Sequence, residues 1–166
     1  MPEHRPERPR SRTRHDERQP SRPFRSPAQE ATIALLRTSA MVSRRFARVA
    51  ELHGLSLAQY NVLRILRGAG DAGLPTLAIR DRMIDEGSTV TRLLDKLEQA
   101  SLVTRDRSRP DRRQVLCTIT PQGEALLATL DPHVDAIDQT TTAMLTPEQR
   151  ESLMSMLTAI CNEMSD

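Results

Sequence analysis

The chain has 166 residues, with 24 basic against 22 acidic side chains and a net charge of +2. That length suits one domain, and neither an apolar run of the ~18 residues of a membrane span nor a charged-then-apolar leader is found, so a small, soluble, intracellular protein is expected. Two cysteines, Cys117 and Cys161, make no disulfide framework and fit no zinc spacing, and Phe24, Phe46 and Tyr60 as sole aromatics argue against a platform for stacking single-stranded bases.

Residues 1–27 carry eight Arg, four acids and two of the 62 apolar residues, and predict a disordered arm. From Ala28 to about His53 the pattern is helical, with Ile33, Leu36, Ala40, Ala47 and Ala50 along one stripe. Such a helix is roughly 37 Å long, more than one small core can bury alone. Gly54 supplies its stop. Ser56-Leu57-Ala58-Gln59 is a capping box that opens a helix through Leu66. Gly68, Gly70 and Gly73 predict a loop, and a short helix follows Pro75, with Ile79 and Met83 one turn apart. Asp85-Glu86-Gly87 turns the chain into Ser88, the expected N-cap of a helix running to about Ser101.

Leu102–Arg107 and Gln114–Ile119 read as strands, because Val115, Cys117 and Ile119 alternate with Gln114, Leu116 and Thr118. Ser108–Arg113 suits the hairpin tip. Thr120-Pro121 is an N-cap with a first-turn proline, ahead of Leu126, Leu130, Val134 and Ile137 in helical register. Pro132 should kink or break that helix. Thr146-Pro147-Glu148-Gln149 opens a last helix with the stripe Leu153, Met156, Leu157, Ile160 and Met164. The order is mainly α with a small β-hairpin, and helix–helix–helix–hairpin is a winged helix-turn-helix.

Charge follows the same order. The segment Arg105–Arg113 holds five Arg and two Asp, whereas residues 114–166 hold Arg150 against eight acids. A polyanion fits the basic half, although charge counts alone also allow arginines that merely solvate the surface. On the Ser88–Ser101 helix, Val90, Leu93, Leu94 and Leu97 share one face. Ser88, Arg92, Asp95, Lys96 and Gln99 lie opposite, with Thr89 and Thr91 on the flanks. Short hydroxyls at a positive helix end, with long cations beyond, suit base edges and phosphates of double-stranded DNA. Arg105, Arg107, Arg109, Arg112 and Arg113 crowd the hairpin, where they would repel one another without an anion, and Asp111 can hold a neighbouring Arg in place.

Here the sequence resembles the MarR family of bacterial winged-helix regulators. The resemblance rests on Leu57–Leu63, Ser88–Glu98, Leu102-Val103, Asp111-Arg112-Arg113 and Thr120–Gly123, and covers about residues 30–165. It implies an obligate homodimer on a pseudopalindromic operator. Residues 28–54 and 121–166 would form a helical dimerisation domain, residues 55–120 the DNA-binding domain and residues 1–27 a separate arm. Ser88, Thr89 and Arg92 align with the family's major-groove positions, Arg113 with its minor-groove wing arginine and Asp111 with the carboxylate that steadies it. The pattern of residues adds Thr91 and Lys96 to the recognition helix and Arg109 and Arg112 to the wing as expected DNA contacts. The implied function is a sequence-specific regulator, ligand-responsive and repressing, at the cytoplasmic nucleoid. Its effector would be a small aromatic or phenolic acid, with Arg44, Arg45, His53 and Tyr60 on segments able to border the pocket. Neither cofactor nor metal nor enzymatic activity is expected, since no nucleophile–base pair or phosphate-cradling loop is present. Two alternatives stand beside this: an architectural DNA-binding protein of little specificity, and a thiol-based redox sensor.

Overall fold

The computed structural model describes residues 24–84, 89–106 and 115–164. Most of the basic arm, the Asp85–Gly87 turn, Ser88 and the hairpin tip lie outside them. The chain divides into two units, Met1–Thr38 and Ser39–Asp166, and the boundary falls within the first helix, α1 (Pro27–Leu52). In the first unit α1 opens on Ser26, whose Oγ accepts from the Gln29 amide at 3.2 Å, with Pro27 at the first helical position. The Gln29 side chain reaches back to the Arg25 amide at 2.7 Å, so two donors that a helix start leaves unpaired are satisfied.

In the second unit α1 ends as expected at Gly54, whose φ of +75° an L side chain rarely adopts. The Gly54 amide donates to Glu51 and the Leu55 amide to Ala50, and Ala50 and Leu55 are both buried. Ser56 and Gln59 then form the anticipated reciprocal cap of α2 (Leu57–Ala69). This helix runs one turn beyond the predicted Leu66 and takes in Gly68. Arg67 explains the extension: both terminal nitrogens donate to Asp131 at 2.9 Å, tying the last turn of α2 to a later helix.

A 3₁₀ turn (Gly70–Ala72) and Gly73 lead into β1 (Leu74–Pro75), a strand the sequence did not announce. Gly73 is obligatory in two ways. Its φ is +62°, and a Cβ there would stand 2.6 Å from the Cys117 carbonyl oxygen. Next come α3 (Thr76–Arg80), α4 (Val90–Gln99), β2 (Val103–Asp106), β3 (Leu116–Ile119), α5 (Pro121–Thr142) and α6 (Pro147–Met164). The antiparallel sheet has the order β1-β3-β2, so Pro75 sits on an edge where its missing N–H costs no ladder bond. Thr89 takes the N-cap position expected of Ser88, and α4 starts at Val90.

One detail runs against the sequence expectations. α5 continues unbroken through Pro132, because Leu127 and Leu130 are buried and Asp131 is gripped by Arg67 at the point of weakness. The lost amide is on an exposed residue, where water can serve the orphaned carbonyl. The end of α4 falls near Ser101 as expected, with no glycine at the turn. Ser101 adopts φ +59° while its amide donates to Glu98 and the Leu102 amide to Leu97, at 2.9 Å each.

The core of this unit is one cluster, with Val62, Leu63 and Leu66 of α2 against Ile79, Leu94, Leu97, Val103, Cys117, Leu127 and Leu130. Three packed helices followed by an antiparallel hairpin make a winged helix-turn-helix within a mainly helical chain, as the pattern predicts. Because a left-handed backbone strains any residue with a Cβ, Ser101→Gly should raise the unfolding free energy by about 0.5–1 kcal/mol. Urea denaturation would show a higher midpoint at unchanged slope; a lower midpoint would contradict the strain.

Candidate nucleic-acid interface

Helix α4 is sorted by burial into two faces. Val90, Leu94 and Leu97 are buried and Leu93 half-buried against the core, while Thr91, Arg92, Lys96 and Gln99 are exposed. Thr89, also exposed, makes no side-chain capping bond. Arg92 and Lys96 hold no ion pair with any described residue. Thr89, Thr91 and Arg92 are thus exposed in the first turn of a helix whose positive dipole end is at Val90, and Lys96 is exposed in its last turn. Ser88 and the wing residues Arg109, Asp111, Arg112 and Arg113 lie outside the described residues.

Arg105 departs from its predicted role. Pairing places it opposite Cys117, on the inner face of the hairpin, while the hydroxyls of Thr104 and Thr118 hydrogen-bond to each other at 2.7 Å on the outer face. The Arg105 side chain is 8% exposed and turns toward α4. Nε donates to Glu98 at 2.8 Å, and Nη2 donates to both Asp95 and Glu98 at 2.5 Å. Glu98 first, then Asp95, hold the guanidinium above its already high ordinary pKa. It is a fixed internal cation, not one free for phosphate. The signal was present in the alternation of Val103 with Arg105 and in acids three apart on α4.

A second feature is a cavity of about 280 Å³ between residues 39–46 of α1, the first two turns of α2, and Met83-Ile84. Val42, Phe46, Leu57 and Met83 give it apolar walls, and Ser43, Tyr60, Asn61 and Arg64 supply polar groups. The Arg64 guanidinium lies 5.9 Å from the Tyr60 ring centroid, and the Asn61 amide donates to the Met83 sulfur at 3.7 Å. Burial raises the Tyr60 pKa, with Arg64 and then Arg67 acting against it, so the phenol stays protonated at neutral pH. Of the four residues expected to border a pocket, Tyr60 alone lines it. His53 instead donates its Nδ1–H to the Val49 carbonyl at 3.0 Å, with its ring 6.1 Å from that of His133.

Among the described residues, no group of three or more His, Cys, Asp or Glu could hold a metal, and no helix is long and apolar enough to cross a membrane. Cys117 is fully buried, and burial pushes its thiol pKa up, the opposite of what a reactive thiolate needs. Cys117 should therefore resist a thiol reagent such as Ellman's in the native protein and react on unfolding. Because its folded pKa lies above the unfolded one, its share of stability is complete below the ordinary thiol pKa and fades as pH climbs past it. Fast native modification at Cys117 would refute this placement.

An exposed polar helix face beside a β-hairpin, carried on a buried three-helix core, defines a winged-helix DNA-binding protein. Residues 55–115 match the family model described as the MarR family. The chain is 32% identical over 126 residues to the HTH-type transcriptional regulator MhqR of Bacillus subtilis, across 75% of this chain and 85% of that one. Among solved structures, a MarR transcription factor from Planctomyces limnophilus is 31% identical with a TM-score of 0.62, covering 82% of this chain and 99% of that one. BpsR of Bordetella bronchiseptica, whose DNA binding is regulated by 6-hydroxynicotinic acid, is 28% identical with a TM-score of 0.68 over the same shares. The chain belongs to the MarR family: it is a DNA-binding transcriptional regulator and not an enzyme.

Proposed function

We propose that the protein represses transcription as a homodimer on a pseudopalindromic operator and that a small aromatic or phenolic acid releases it. The observation that carries the DNA part is the exposed surface of α4, where Thr89, Thr91, Arg92 and Lys96 face solvent while Val90, Leu94 and Leu97 are buried. Ser88 precedes them in the chain. In this reading Ser88, Thr89 and Thr91 meet base edges and phosphates, Arg92 a base edge, and Lys96 the backbone. Arg109, Arg112 and Arg113 follow a minor groove, with Asp111 steadying its neighbours. Residues 55–120 are the DNA-binding domain, and residues 1–27 add an arm of eight arginines.

Residues 28–54 and 121–166 are assigned to dimerisation. Support comes from apolar side chains left in water: Leu36 and Leu52 on α1 are 64% and 83% exposed, and Met154, Met156 and Met164 on α6 are 68%, 58% and 82% exposed. Apolar surface gathered into patches marks an interaction site. A two-fold dimer then spans half-sites about 10 bp apart at the nucleoid. The cavity supports the effector. Its apolar walls suit a single ring, Arg64 suits a carboxylate and the neutral Tyr60 phenol can donate, and a family relative answers to 6-hydroxynicotinic acid.

Three outcomes test this. Arg113→Ala should weaken binding to a selected duplex and lower the salt slope by about 1, and equal affinity for random duplexes would sink sequence specificity. Sedimentation at micromolar concentration should give a dimer; a folded monomer there would defeat the assembly. Titration with 4-hydroxybenzoate should raise the melting temperature of the unmodified protein but not of Arg64→Ala, and an equal rise in both would remove Arg64 from the site.

A further inference from the structure

Arg105 lies in the segment whose arginines suggest DNA contact, yet its guanidinium is buried and spent on two carboxylates of α4. Asp95 and Glu98 are three residues apart, one above the other on the helix, and their side chains are 47% and 40% exposed. A single planar guanidinium spans both, donating Nε and Nη2 to Glu98 and Nη2 to Asp95. Its backbone belongs to β2, and its cross-strand partner is Cys117 of β3. The three side chains therefore form a bracket from the hairpin to α4.

We propose that Arg105 is a positioning residue for DNA recognition. It holds the β2–β3 hairpin at one angle to α4, so that helix and hairpin meet the duplex as one body, and it does not itself touch phosphate. The inference rests on the reading of α4 as the DNA face. The described part of each hairpin strand is four residues long, and the two residues of β1 are all that pair with the other edge of β3, a short anchorage for holding an orientation. Apolar packing fixes its root through Val103 and Cys117, both buried. Apolar packing is tolerant of direction, whereas a fork of donors on two acceptors is not. An interface ordered in advance binds more tightly because little ordering remains to be done on association.

A plain electrostatic account makes the opposite forecast for one variant, which makes the proposal testable. Asp95 and Glu98 are negative charges on a helix facing a polyanion, so Asp95→Asn with Glu98→Gln should tighten binding if charge alone mattered. With the bracket, the same pair weakens it. The probe is a duplex selected from a random pool by the unmodified full chain, with affinity measured over a salt series.

We expect Arg105→Gln and the Asn/Gln pair each to lose about tenfold or more in affinity with the salt slope unchanged, and Arg105→Lys, a single point charge, to recover part of the loss. A slope reduced by about 1 in Arg105→Gln would make Arg105 a phosphate ligand and overturn the proposal. Unchanged affinity in Arg105→Gln, or tighter binding by the Asn/Gln pair, would overturn it too. Circular dichroism checks folding, and if Arg105→Gln does not fold, the near-isosteric Asn/Gln pair carries the test. Arg92→Ala runs alongside: undiminished affinity there would remove α4 as the DNA face, a failure separate from that of the bracket.

Discussion

The constraint on which the second unit depends is the burial of α2. Tyr60, Asn61, Val62, Leu63 and Leu66 all lie inside, with Arg64 and Gly68 exposed, and α3, α4, β3 and α5 are arranged around the buried face. A helix buried along so wide a face is stable only when its neighbours enclose it. Its polar side chains are accordingly assigned one by one: Asn61 to the Met83 sulfur, Arg64 to the face of Tyr60, and Arg67 to Asp131. Each partner belongs to a different part of the structure or lines the cavity. The helix that fills the core is thus also the one through which cavity, exposed α4 face and α5 are joined.

Legibility in the sequence followed the range of the interaction. Ser56 with Gln59, Thr120 with Pro121, Thr146 with Gln149 and the Gly54 stop were all visible, because each is settled within a few residues. Helix order and the inward alternation of Cys117 were visible for the same reason. β1 was not, since two residues carry no periodicity and only pairing with β3 makes Leu74-Pro75 a strand. Pro132 misled because the turn of helix before it is held by contacts with α2, more than sixty positions earlier in the chain. On the candidate site, the two faces of α4 could be drawn from angle alone. Arg105 was misplaced because counting charges along the chain passes over its inward alternation with Val103 and the α4 acids that hold it.

The pairing of Arg105 also changes the charge the hairpin presents. The segment from Arg105 to Arg113 counts +3 in isolation. One of its cations is spent on two acids of α4, outside the segment, so the charge the hairpin can offer a ligand is smaller than the sequence count. The helix gains correspondingly, since Asp95 and Glu98 no longer present bare carboxylates beside Arg92 and Lys96.

The turn at Ser101 also sets how movement can pass through the protein. The Leu102 carbonyl accepts the Thr120 amide at 3.1 Å, and the Ser101 carbonyl accepts the Thr120 hydroxyl at 2.8 Å, while the same oxygen of Thr120 caps the first turn of α5. The end of α4, the start of β2 and the start of α5 are therefore welded at a single residue, with no slack linker between them. A swing of α5 would have to break these bonds or carry the root of the hairpin and the end of α4 along with it, as a lever whose short arm is the Ser101–Leu102 turn and whose long arm is α5.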